Sequence, residues 1–359
     1  MTLEQLELAR SRLRLGIANV GFWVVTATAG LYWLTRGGAH GLDSREWISI
    51  GLAAIVAQAA FDFIGGARLI PPPAPALGEF LRRWLRGVYW HSLMLAGVGL
   101  LSCASFQLSS GFALAVLVAT VGLALGRRQI FGALAGTTIS EIPREGRKSL
   151  TAAVNDTAFT GGIVGFGARA RSLWPARWLE ALPKSELAVE SFRRGWQIRH
   201  GLNDRALVAV LGWNLAGTAL GTFAFALAQR TPAEALFGHA CWMTLWAFVG
   251  LLVLPALSRS TVFAADRAAA DAGLAPADWI AHFPDFTGED GSASASVQTI
   301  FYPIPSAKIR LRLINTASFV LGSLARNNLY YSWATLTLLG RAVHCNVGRP
   351  ALWVFPPSA

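Results

Sequence analysis

The sequence predicts a polytopic α-helical membrane protein with about six spans and a small cytoplasmic α+β domain. Three observations indicate this fold class. Of the 359 residues, 53% are hydrophobic and only 14% are charged, against roughly 25% charged in soluble domains. Long apolar stretches with almost no charge recur along the chain, and basic residues concentrate between alternate stretches. This composition excludes a disordered protein and is not that of an ordinary soluble enzyme.

Six apolar stretches are candidate spans, because a helix of about 20 residues crosses the hydrocarbon core of a bilayer. They are Ile17–Leu34, Trp47–Ile64, Val88–Leu108, Gly111–Leu125, Ala206–Leu227 and Ala235–Leu257. The third and fourth are nearly contiguous and predict a tight antiparallel hairpin. A charged amphipathic segment, Leu3–Leu15, precedes the first span with no small-residue cleavage site, so we expect no cleaved signal peptide.

The distribution of basic residues predicts the topology. In this arrangement 28 of the 31 Lys and Arg lie on one side of the membrane, and Arg36, Arg45 and Arg230 lie on the other. The positive-inside rule makes the basic side cytoplasmic, with both termini there, in the plasma or inner membrane if the source is bacterial. The net charge of +11 is therefore a topology signal, and we expect no nucleic-acid partner.

The predicted topology divides the chain into a four-span region, a cytoplasmic domain in two parts with a two-span hairpin between them, and a tail. The boundaries are 1–126, 127–205, 206–257, 258–313 and 314–359. Each hydrophilic part is too short for a core of its own, so we expect the two to pack together. The tail is expected at the membrane interface or on a partner, with Trp353–Pro357 extended.

One segment, Leu182–Gly201, has the pattern of an amphipathic helix. Pro183 and Glu186 suit its first turn, and small and apolar residues recur with helical period along one face. Glu190 and Arg194, spaced i,i+4, are expected to pair on the other face, which stabilises a helix by only a few tenths of a kcal/mol. Taken alone, the segment predicts a helix on the membrane surface or packed on a small domain.

The helix also resembles the active-site helix of the CAAX prenyl protease and HtpX-like membrane zinc metallopeptidases, whose usual run is AVLAHELGH. Ala188-Val189 match the AV of that run and Gly195 matches its Gly. After the two-span hairpin, Ser258–Arg267 resembles the SR-xx-E-xx-AD helix of the family. If the helix packs as in the family, Gly195 allows close approach of a neighbouring element.

Two further segments carry the same resemblance. Asn155, Ala158, Phe159 and Gly161 resemble the N-A-F-A-x-G strand that lines the substrate cleft, with the Asn displaced. Tyr302-Pro303 and Lys308–Arg310 resemble its HP-x4-RI motif. The resemblance implies a gluzincin-like fold for the cytoplasmic domain, in which a substrate strand is added to the edge of a sheet.

The residues that bind zinc in that family are absent from the matching positions. Phe192 and Trp196 occupy the two histidine positions, Arg193 the position of the general-base glutamate, and Val262 that of the third ligand. Asp266 matches the Asp of the later helix. We therefore expect Phe192, Trp196 and Val262 to form a buried apolar plug, with Arg193 turned towards Glu190 or Asp266.

These substitutions predict a non-catalytic membrane protein without a cofactor, acting as an accessory or scaffold subunit or as a binder of peptide segments. The expected partners are the lipid bilayer and other membrane protein subunits. One alternative is an active zinc endopeptidase with an atypical site, and the other, less supported, is a transporter. Asp62, inside the second span, is expected to pair with Arg68, and His91 to anchor the third span at the interface.

Overall fold

The structure, a computed structural model, begins with four long helices. It describes residues 3–69, 76–106, 108, 111–144, 147–287, 293–302, 304–314, 322–324, 331–332, 337, 339–342 and 346–357. The helices are α1 (Leu3–Thr35), α2 (Ser44–Phe63), α3 (Leu77–Ser105) and α4 (Gly111–Ala135). All four are long and apolar enough to cross a membrane.

A four-stranded sheet follows α4 and forms the first part of the non-membrane domain. Its strands are β1 (Ile139–Arg144), β2 (Arg147–Ala152), β3 (Gly162–Val164) and β4 (Arg171–Pro175). Their order is β1-β2-β4-β3, with β2 and β4 parallel and the two outer pairs antiparallel. The central pair is aligned by Leu150 opposite Leu173; both side chains are buried.

Helices complete the domain and the membrane region. They are α5 (Ala176–Ala181), α6 (Lys184–Arg199), α7 (Leu202–Ala224), α8 (Pro232–Val253), α9 (Pro255–Asp271), α10 (Pro276–Thr287), α11 (Ala295–Phe301), α12 (Ala307–Leu313) and α13 (Pro350–Val354). Gly201, at a φ of +61°, separates α6 from α7, and Thr231 with Glu234 forms a capping box at the start of α8.

The prediction of a multi-pass membrane protein is confirmed at the level of element length and composition. Among the residues described, α7 and the run through α8 and α9 bring the number of helices able to cross a membrane to six. The fourth is longer than its predicted span, because α4 continues past Leu125 to Ala135. Arg127 is therefore a buried helical residue that donates hydrogen bonds to the carbonyl of Val354.

The partner expected for Asp62 and the role expected for His91 are both wrong. Asp62 is fully buried and bonds to Arg341 and to the backbone N–H of Gly348, not to Arg68. Nη1 of Arg341 lies 2.8 Å from Nδ1 of buried His91, so His91 is not an interfacial anchor. The low dielectric of the protein interior favours this pairing of carboxylate and guanidinium over leaving either group alone.

The described part of the tail, residues 346–357, packs inside the protein. Trp353 and Phe355 are buried, and α13 makes Trp353 and Val354 helical where we expected extended chain. The Trp353 indole donates to the carbonyl of Asn346 at 2.8 Å. The apolar side chains of residues 351–355 fill a core that they share with α4 and the sheet. A local sequence pattern does not reveal such long-range packing.

Candidate functional site

One face of α6 is a row of buried polar side chains. Glu186, Glu190, Arg193 and Gln197 recur at intervals of three and four residues and are all buried. Burying charges is costly unless they are paired. The two glutamates and the arginine of this row therefore require partners of opposite charge or hydrogen-bonding groups. The sequence pattern had placed the Glu190 side of this helix on its outer face; the structure places it inside.

Arg193 lies at the centre of this row and is fully buried. Its Nη1 donates to Oε2 of Glu190 at 2.6 Å, and its Nε lies 2.8 Å from Oδ1 of Asp266 on α9. Burial opposes the charge of the guanidinium, but Asp266 and Glu190 outweigh that effect and raise the pKa of Arg193 above its ordinary value. The expectation that Arg193 turns to Glu190 or Asp266 is confirmed, with both as partners.

The two carboxylates are also held by other groups. Arg310 of α12 makes a bidentate pair with Asp266, both distances being 2.8 Å. Glu190 accepts from Arg194 Nε at 2.7 Å and from the Trp279 indole at 3.1 Å. The predicted Glu190–Arg194 pair is therefore present, but it is buried rather than exposed. Such charge-assisted bonds fix side-chain geometry as well as contributing energy.

Arg194 connects this network to the sheet. Its guanidinium donates to the carbonyls of Leu173 at 2.5 Å and Thr160 at 2.6 Å, and it lies 4.3 Å from the centre of the Trp174 ring. The sequence analysis predicted the Arg194 pair with Glu190 but neither the contact of Arg194 with the sheet nor a role for Trp279. The spacing of Glu190, Arg193 and Arg194 was the available signal, because both arginines lie within one turn of the glutamate.

The predicted plug is formed only in part. Val262 is buried, and half-buried Phe192 packs against the cluster that contains it. Trp196 is also half-buried, and its ring instead contacts His200, 4.2 Å away between centroids. The prediction of two buried rings is therefore wrong for both, and Phe192 alone keeps the expected packing against the cluster of Val262. The reason is that the polar row of α6, centred on Arg193, takes the interior position.

These residues do not fit a zinc site. Phe192 and Val262 have no donor atom, and the Trp196 indole N–H has no lone pair to give a metal. The nearest carboxylates, Glu190 and Asp266, already accept from guanidinium groups. Within the described part of the chain, no group of three or more His, Cys, Asp and Glu is placed to hold a metal ion.

The segment that resembled a cleft strand is a buried loop. Ala158 and Phe159 are almost completely buried, and Gly161 has a φ of +78°, with Leu173 so close that a side chain would clash. The carbonyls of Asp156 and Phe159 accept from Arg177. Ala158 and Phe159 therefore face the core and not an open cleft. Asn155 alone is exposed, at a separate cavity of about 330 Å³.

A different cleft, of about 990 Å³, opens beside the outward face of α6. Its helical wall carries Ser191, Phe192 and Gly195, and its opposite wall is formed by β2, β4 and the turn between β3 and β4. An added Cβ at Gly195 would meet only Arg199, at 3.5 Å. The expectation that Gly195 is pressed against a neighbouring element is therefore wrong, since it lies at an open surface.

The comparisons with protein-family models and with curated proteins assign this chain to no family. No protein-family model matches it, and no curated protein matches it. The resemblance to membrane zinc metallopeptidases therefore stays a prediction from the sequence.

Proposed function

We propose that this chain is a non-catalytic, metallopeptidase-like integral membrane protein that acts as an accessory or scaffold subunit and binds a segment of its partner. The observation that carries the proposal is the buried ion network of Arg193. At the position that the resemblance assigns to a general-base glutamate stands a guanidinium held by Glu190 and Asp266. Arginine stays protonated at neutral pH and cannot accept a proton from water.

The network also supports a structural role for the polar groups that remain. Asp266 is engaged by Arg193 and Arg310, and Glu190 by Arg193 and Arg194. Recruiting either carboxylate for catalysis would leave a buried guanidinium uncompensated, which is strongly unfavourable. In contrast, the 990 Å³ cleft beside α6 is open and within the size range of binding sites, roughly 300–1,000 Å³.

The proposed orientation places both termini, the sheet and the cleft in the cytoplasm. Its support is the concentration of Lys and Arg in the segments assigned to that side. A partner segment reaching the cleft would then come from a cytoplasmic or juxtamembrane part of another membrane protein.

The proposal is tested by metal content and chelator response. The full chain is purified in a mild detergent, its zinc is quantified by elemental analysis, and its thermal unfolding is followed with and without a zinc chelator. We expect substoichiometric zinc and the same midpoint in both conditions. Stoichiometric zinc whose removal lowers the midpoint would contradict the proposal and favour an atypical peptidase.

A second measurement tests the subunit role. A photo-crosslinking amino acid at Ser191, in the cleft, is compared with one at Glu180, an exposed position on α5 outside the cleft. In native membranes we expect a discrete crosslinked band from Ser191 and none from Glu180. Equal labelling from the two positions, or none from Ser191, would contradict a partner bound in the cleft.

A further inference from the structure

The cleft beside α6 has cationic side chains around an apolar base. Lys148, Arg171 and Arg199 line it, and Arg144 lies at the end of β1. In the described part of its lining, the one acidic residue is Asp204, which already accepts the backbone N–H of Gly167 at 2.9 Å. Among the described residues, no carboxylate forms an ion pair with Arg171 or Arg199. Lys148 lies 3.6 Å from Oε2 of exposed Glu141, so the excess of positive charge in the described lining comes chiefly from Arg171 and Arg199.

The cationic groups lie on both walls. Lys148 belongs to β2 and Arg171 to β4, whereas Arg199 is the last residue of α6. Nη1 of Arg171 is held in place by the carbonyls of Ala168 and Ala170, both at 2.9 Å. A ligand between the walls would meet positive charge on both sides, which favours an elongated anion over one compact group at a single wall.

The remainder of the lining is small or apolar. Ala188, Ser191 and Gly195 leave space along α6, and Phe192, Ile198 and Leu274 provide apolar surface. A volume of about 990 Å³ is large for a single phosphate or a headgroup. It matches a short extended polypeptide that alternates acidic residues with small apolar ones, because such a chain satisfies the charged walls and the apolar base together.

We propose that the cleft binds an acidic polypeptide segment of a partner protein, an inference that rests on the proposed function and specifies its ligand. Carboxylates of the segment pair with Arg171, Arg199 and Lys148, and its small apolar residues pack over Gly195 and Phe192. Charge complementarity then selects the partner and accelerates its association.

The test uses the full chain in detergent and two pools of short fluorescein-labelled peptides. In one pool Glu alternates with mixed Ala, Gly, Leu and Val, and in the other Lys replaces Glu. By fluorescence anisotropy we expect the acidic pool to bind, more weakly as salt is added, and the basic pool not to bind. Equal binding of both pools would overturn the acidic ligand while leaving a peptide-binding cleft intact.

Matched variants locate the site. K148E/R199E reverses two exposed charges on the cleft, and K184E/K308E makes the same net change at exposed positions of α6 and α12 that do not line it. We expect the first variant to bind the acidic pool about tenfold more weakly and the second to bind it as the unaltered chain does. An equal loss in both would mean a diffuse electrostatic attraction and would overturn the proposal.

A steric variant and a lipid competitor complete the experiment. Gly195→Trp fills the base of the cleft and should abolish binding, whereas Ala277→Trp, on the exposed part of α10, should not. Short-chain phosphatidylglycerol that displaces the peptides more strongly than phosphatidylcholine does would reassign the cleft to a lipid headgroup. Failure of the acidic pool to bind would overturn the proposal. The zinc measurement does not depend on peptide binding. A failure of the proposed non-catalytic role can therefore be distinguished from a failure of the proposed acidic ligand.

Discussion

Nε of Arg193 and Oδ1 of Asp266 lie 2.8 Å apart, and this buried pair joins α6 to α9, the two helices on either side of the α7–α8 hairpin. Removing one partner of a buried ion pair leaves the other charge uncompensated. Arg193→Met should therefore destabilise the protein by about 3–5 kcal/mol, measured by unfolding in detergent.

Arg199→Met is the matched control, because Arg199 is on the same helix but exposed. We expect its effect to stay within about 0.5 kcal/mol. A double-mutant cycle with Asp266→Asn should give a clear coupling energy between positions 193 and 266. Additive effects in that cycle would contradict the ion pair.

The sequence predicted the six helices that are long and apolar enough to cross a membrane, because hydropathy and helical period are local properties. The pairing of Glu190 and Arg194 was also evident from their spacing. The burial of this pair was not evident from the sequence, because the groups that cover it, Trp279 and β4, are remote in sequence. For the same reason Asp62 was assigned to nearby Arg68 rather than to Arg341, which only the folded chain brings to it.

The contrast between two helical glycines gives a second prediction. Gly195 has open space where a Cβ would be, whereas a Cβ at Gly217 of α7 would lie 2.4 Å from the Trp246 ring. Alanine favours a helix over glycine by roughly 1 kcal/mol. Gly195→Ala should therefore raise the free energy of unfolding by about 0.5–1 kcal/mol, and Gly217→Ala should lower it. A loss of stability in Gly195→Ala would mean that α6 is covered there.

The pair of Asp156 with Arg349 predicts an acid-sensitive contact between the loop after β2 and the chain end. Burial opposes ionisation of Asp156, but the Arg349 guanidinium and the Ala158 N–H outweigh it and lower the pKa of the carboxyl. A carboxyl whose pKa is lower in the folded state stabilises the fold above its unfolded value of about 3.9 and loses that contribution as pH falls through the folded value.

Asp156→Asn should accordingly be less stable than the unaltered chain at neutral pH, and the two should converge below pH about 4. The measurement is the unfolding midpoint of both proteins across this range. Asp278→Asn, at an exposed position on α10, controls for the change in net charge. A constant difference between the Asp156 variant and the unaltered chain at all pH values would contradict the pairing.

The proposed orientation predicts opposite accessibility of two loops. Single cysteines are introduced at Lys148 in β2 and at Gln229 between α7 and α8, both exposed, in a chain whose own cysteines are replaced. In intact cells an impermeant thiol reagent should label position 229 and not 148, since the excess of Lys and Arg places β2 inside. External labelling at 148 would reverse the topology.

The buried chain end gives the last prediction. Trp353 is 1% exposed; its ring lies 4.0 Å from the Arg341 guanidinium carbon, and its indole N–H donates to Asn346. Trp353→Ala should lower the free energy of unfolding by about 3–5 kcal/mol, because it leaves a cavity in the core and removes the ring against which Arg341 packs. Trp90→Ala is the control: Trp90 is on α3 but 39% exposed, so its loss should be small. The two variants are compared by their unfolding midpoints and by proteolysis near the chain end. If Trp353→Ala were as stable as the control, the segment would be a peripheral tail and free for a partner, and Asp62 would need another cation inside the membrane region.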